Sequence, residues 1–189
     1  MPVTVTTLKK TLNHSVIKLV GNGSHTIALS SLVETNDKEA FFENGDSIIK
    51  VRDTLGIVIG GTVSGTGITP GTTVTEIRDH YVTLSAPTTA DSSGVYTFDS
   101  QVYTSGVSKV NINKVYYDTD VTGGIKITRN AVDVLSFTRS GIWQFDGFSL
   151  SENNTSDIVV TLSGTFSSTL IIEVRKVGGY GDADHPLRS

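Results

Sequence analysis

Cysteine is absent from all 189 residues, which removes disulfide frameworks, thiolate metal sites and thiol nucleophiles together. Long apolar runs are absent too: nothing approaches the roughly 18 residues of a membrane-spanning helix, so no membrane partner is expected. The opening Met1-Pro2-Val3-Thr4-Val5-Thr6-Thr7 lacks a basic segment leading into an apolar one, and the chain reads as unprocessed. Positive charge is in short supply. Fifteen basic residues face nineteen acidic ones, for a net charge of −4 and a pI near 5.5, so the general attraction that drives non-specific nucleic-acid binding is missing, and nucleic acid is not expected as a partner. Strong helix formers are few, and no ten-residue stretch has helical periodicity.

What remains is rich in strands and turns. Nineteen glycines stand among many serines and threonines, and branched apolar residues recur in short runs. Ser15 to Val20 and His25 to Leu29 flank the turn set Gly21-Asn22-Gly23 and read as an opening hairpin. Leu32 to Gly45 is looser, and polar Glu34 to Glu39 reads as a connector, a loop or one helical turn. A Gly/Thr-rich stretch follows, with short strands at Val74 to Ile77, Tyr81 to Leu84 and Val95 to Phe98, and a turn at Arg78-Asp79-His80. Beyond Ser100 the strands lengthen. Lys109 to Tyr117 alternates apolar and polar side chains, with Val110, Ile112 and Val115 or Tyr116 on the buried side and room for a bulge. Ile125 to Arg129, Val134 to Phe137, Gly141 to Phe148, Asp157 to Leu162 and Leu170 to Arg175 continue a meander.

This pattern predicts an all-β protein: a β-sandwich or jelly-roll-like domain with an inserted small Gly/Thr-rich β module. The expected boundaries are 1–34 and 105–177 for the discontinuous sandwich, 35–104 for the insert and 178–189 for a C-terminal arm. An insertion of this kind requires its two ends, near Glu34 and Thr104, to lie close together.

Candidate chemistry is sparse. His14, His25, His80 and His185 have no neighbours at metal-ligand spacing, and Asp79-His80 reads as a turn. Asp182, Asp184 and His185 could hold a cation, but a solvated tail is the favoured reading. Ser64-Gly65-Thr66-Gly67 leads into a strand rather than the helix that would cradle a phosphate. No Gly-X-Ser-X-Gly elbow occurs, and Asp46, Asp53, Asp91, Asp118, Asp120 and Asp146 stand beside turn residues rather than in pairs. Trp143, with Phe145, Phe148 and Tyr116-Tyr117, would suit a sugar-stacking platform. Trp143 and Phe145 share one strand face, however, and core filling is the favoured expectation. Asn153-Asn154-Thr155 reads as a turn. No catalytic set, cofactor or metal is expected, and a building block is a better fit than an enzyme.

Two segments carry a resemblance. Gly61 to Ile77, with Val82-Thr83-Leu84-Ser85, resembles a small glycine-threonine β module of phage virion and bacterial surface proteins. Val110 to Tyr116, Ile127-Thr128-Arg129-Asn130, Asn154 to Thr161 and Glu173 to Tyr180 resemble small structural proteins of marine tailed phages such as cyanophages. The resemblance implies a non-enzymatic virion component, a capsid decoration or head-associated protein made in the host cytoplasm and present in many copies. Its partners would be the major capsid protein or other virion proteins, with a homo-oligomer, such as a trimer, as its own state. The alternative it leaves open is a neck, baseplate or tail-fibre component with a receptor- or carbohydrate-binding β module. Lys176, Tyr180, His185 and Arg188, on or beside the C-terminal arm, are the expected partner-binding residues.

Overall fold

The structure is a computed structural model and describes residues 1–11, 13–120, 122–145 and 149–181. Three strands open the chain: β1 (Thr4–Lys10), β2 (His14–Gly21) and β3 (Gly23–Ile27), followed by a single 3-10 turn at Leu29–Leu32. Seven more are β4 (Thr35–Phe42), β5 (Ile48–Val51), β6 (Val63–Ser64), β7 (Val74–Arg78), β8 (Tyr81–Leu84), β9 (Ser92–Asp99) and β10 (Val102–Tyr103). The rest are β11 (Lys109–Asp118), β12 (Gly124–Arg129), β13 (Val132–Phe137), β14 (Gly141–Gln144), β15 (Ile158–Ser163), β16 (Ser168–Gly178) and β17 (Tyr180–Gly181). The protein is all-β, and every strand pairing is antiparallel. Among the described residues it divides into two compact units, 1–32 with 104–179, and 33–103 with Tyr180 and Gly181.

The first unit is sandwich-like. One sheet has the order β1-β2-β16-β11-β14 and the other β13-β12-β15-β3. Period-2 alternation puts Ile17 and Leu19 of β2, Leu170, Ile172 and Val174 of β16, and Ile125, Ile127, Val160 and Leu162 of the second sheet inside. Each such side chain taken out of water contributes roughly 1.5–3 kcal/mol. In β11 the register against β16 shifts between Ile112 and Lys114, so Val110, Ile112 and Val115 all point inward and Tyr116 faces out. At one end of the core lies Arg129, fully buried. Its guanidinium donates to the carbonyls of Val110 (2.6 Å), Ser156 (3.0 Å) and Asn154 (3.1 Å), which holds the turn at 153–156 against β11.

The second unit is built on one six-stranded sheet, β6-β9-β4-β5-β8-β7. Ala40, Phe42, Ile49, Val51, Val82, Leu84, Tyr96 and Phe98 form its buried face, packed with Ile57, Val63 and Val74. Here the polar segment expected to be a connector is instead a strand. β4 is zipped on both sides, to β9 from Thr35↔Asp99 to Phe42↔Ser92 and to β5 at Ala40↔Val51 and Phe41↔Lys50, so charged Asp37 and Glu39 are accommodated on its outward side. The glycine run has a packing role. A Cβ on Gly65 (φ +152°) would stand 2.4 Å from the ring of Tyr96, whose hydroxyl donates to the Thr66 carbonyl at 2.9 Å. The two ends of this unit meet: Ser100 N–H donates to the Glu34 carbonyl (2.7 Å), and Glu34 N–H to Gln101 Oε1 (3.1 Å).

Candidate functional site

The chain's terminal strands place the residues singled out for partner binding. Lys176 is buried, not displayed: its Nζ donates to the Thr11 carbonyl (2.7 Å) and its backbone N–H to the Asn13 carbonyl (2.9 Å). An aliphatic stem with a charged tip is suited to this, because the stem packs while the ammonium satisfies a turn carbonyl. Tyr180 is also buried, in β17, where it pairs with Tyr103 of β10 and tilts its ring against Tyr103 at 6.0 Å. Burial gives both residues internal roles. Gly178, expected to begin an arm, is the last residue of β16. His185 and Arg188 lie outside the described residues, as do Asp182, Asp184, Asp146 and Phe148.

The turn that Lys176 holds is the one that connects β1 to β2. Thr11 and His14 close it with reciprocal bonds, Thr11 Oγ1 to the His14 carbonyl (3.1 Å) and His14 N–H to Thr11 Oγ1 (3.2 Å). The strand so anchored is unusual. β1 sits at the edge of its sheet, and all its residues but the last are exposed, with Leu8 and Val5 among the exposed apolar side chains. A strand normally hides one face; this one hides almost nothing and is held by one ladder, a register shift between Thr7 and Lys9, and a bond from Asn22 N–H to the Met1 carbonyl (2.9 Å). The mixed, weakly apolar Thr4-Val5-Thr6-Thr7-Leu8-Lys9-Lys10 carries no strand signal, because no alternate positions are consistently apolar.

The opposite edge of the same sheet is aromatic. Trp143 pairs with Val115, which directs its indole toward the sandwich interior, but β14 is the last strand and the side chain stays 47% exposed. The expectation that Trp143 fills the core is therefore corrected: alternation sets the face a side chain occupies, not whether another strand lies beyond it. Tyr117 stacks on Phe137 (3.9 Å, 19°), and Trp143 tilts against both Phe137 and Phe145 at 6.2 Å.

Among the described residues, titratable groups do not converge on one site. Among the described residues no three His, Asp or Glu side chains lie close enough to hold a metal ion. His80 follows Asp79 (φ +40°) in the β7–β8 turn, with Nδ1 2.9 Å from the Arg52 carbonyl. Asp120 caps a turn; the backbone N–H of Phe166 and the hydroxyl and N–H of Thr122 hold its carboxyl below the usual range. Asp53 is lowered chiefly by its hydrogen bond with Lys38. A cavity of about 50 Å³, lined by Ser15, Ile17, His25 and Leu32 among others, is far smaller than the roughly 300 Å³ at which cofactor pockets begin. No family model, curated protein or solved structure matches the chain.

Proposed function

We propose that the chain is a non-enzymatic structural component of a tailed-phage particle, a capsid-decoration or head-associated protein that binds neighbouring capsid subunits. The observation that carries the reading is β1, an anchored edge strand exposed on both faces. Alone it buries little, whereas against a neighbouring subunit it would add main-chain hydrogen bonds along its free edge and cover Val5 and Leu8. Repeated over many copies, modest contacts of this kind become durable attachment. The phage-like segments from Val110 to Tyr180 point to the particle as the setting.

Immunogold labelling of phage particles with an antibody to this chain tests the reading. Gold over heads is the expected result. Gold at the neck or tail would favour a neck, baseplate or tail-fibre component with a receptor- or carbohydrate-binding module, a second reading supported by the half-exposed indole of Trp143. Unlabelled intact particles would overturn both.

A further inference from the structure

The outward face of the six-stranded sheet is a surface that the proposed role does not use. Solvated sheet faces are ordinarily polar. This one carries Phe41, Ile48, Tyr81 and Val95, with exposures from 48% for Tyr81 to 65% for Val95. Register places them together. Phe41 pairs with Lys50, Lys50 with Tyr81 and Tyr81 with Arg78, so one row across β4, β5, β8 and β7 reads ring, cation, ring, cation. Two strand spacings separate the rings, about 9.5 Å. Both rings stand on strands zipped into the sheet on either side, so their spacing is fixed by the ladder rather than by a loop.

Three observations narrow the occupant. The surface is a sheet face rather than an edge, so strand addition does not apply. Residues 33–103 contain ten acidic and four basic residues, a net charge of −6, which repels a polyanion such as single-stranded nucleic acid despite the stacking rings. The flanking charges are self-compensated pairs, Arg78 with Glu76 (2.6 Å) and Arg52 with Glu39 (3.2 Å), which offer hydrogen-bond donors and acceptors side by side without net charge. Donor-acceptor pairs beside flat rings complement a neutral polyhydroxyl polymer, whose C–H faces stack and whose hydroxyls both give and take hydrogen bonds.

We infer that this face is a binding platform for neutral polysaccharide, with sugar rings stacked on Phe41 and Tyr81 and hydroxyls bonded to Lys50 and the Arg78–Glu76 pair. The inference holds wherever on a particle the chain sits, so it and the labelling experiment fail independently. Native gels cast with neutral polysaccharides (dextran, galactomannan, xylan, hydroxyethylcellulose) supply the test, beside gels containing alginate and lanes carrying a single-stranded oligonucleotide. The full-length chain is expected to be retarded by at least one neutral polymer, equally at low and high salt. Phe41→Ala and Tyr81→Ala should each weaken the retardation tenfold or more, Tyr81→Phe should keep it, and Phe166→Ala, an exposed ring elsewhere, should leave it unchanged. All substituted side chains are exposed, and unchanged thermal melts would confirm that folding is intact. Four results would overturn the inference: no retardation by any neutral polymer; binding of polyanions alone, abolished by salt; loss with Trp143→Ala but not with Phe41→Ala; or a fall in oligomeric mass in Phe41→Ala, which would make the face a contact between copies of this chain.

Discussion

Arg129 concentrates more hydrogen bonding in a buried place than any apolar core residue. Three backbone carbonyls from two segments converge on its guanidinium, and Asn153 Nδ2 returns a bond to its own carbonyl at 3.5 Å. Arg129→Leu fills much of the volume but leaves those carbonyls without the donors they face, at roughly 1–3 kcal/mol for each group left unsatisfied. Urea unfolding is expected to show a loss of about 3 kcal/mol or more. Asp120 makes a prediction about pH. Its carboxyl is lowered in the folded state by the Phe166 and Thr122 bonds, so its stabilising effect is fully present above the ordinary aspartate value of 3.8 and is lost as pH falls through the lower folded value. Thermal melts from pH 7 to pH 2 should therefore show a shallower acid decline in Asp120→Asn than in the parent. Gly65 is the third position where one residue matters, since a Cβ there meets the Tyr96 ring on a backbone that side chains rarely adopt. Gly65→Ala should cost about 1–3 kcal/mol, read by the same urea titration.

At the level of strands, β1 and Lys176 form a unit of cause and effect. Removing the ammonium with Lys176→Met releases the turn carbonyl at Thr11 while keeping the packed stem. Trypsin should then cut after Lys9 and Lys10 several-fold faster than in the parent, without a matching fall in global stability. An unchanged cleavage rate would show that the β1–β2 ladder alone holds the strand. The same scale shows what the sequence made legible. β2, β11, β12, β15 and β16 announce themselves because one face of each is apolar at every second position, as in Ile17-Leu19 or Leu170-Ile172-Val174. β4 was hidden because Asn36 and Lys38 occupy inward positions that would ordinarily be apolar, and its pairing to β9 and β5 supplies what local pattern does not. β1 was hidden for the opposite reason, having no buried face to advertise. The outward row on β4, β5 and β8 is not legible in the sequence because Phe41, Lys50 and Tyr81 are far apart along the chain and meet only through register. Lys176 and Tyr180 look like surface anchors in sequence, and only the carbonyls and ring that enclose them show otherwise.

For the whole chain, each unit has its own buried set of side chains, and residues 33–103 contain the complete core cluster of the second. A polypeptide of residues 33–103 is therefore expected to fold alone, with dispersed amide resonances and a cooperative melt, although it lacks the two-residue pairing of β17 with β10. A collapsed spectrum would show that β17 is indispensable. The closure of this unit at Glu34, Ser100 and Gln101 also has a mechanical consequence. Its first and last long strands run antiparallel from the Thr35↔Asp99 pair inward, so tension applied through the flanking chain opens that ladder like a zipper, one hydrogen-bonded pair at a time. Rupture in this geometry needs little force and occurs in small steps. Pulled from its own two ends, this unit would lengthen gradually and release slack chain, acting as an extensible fuse.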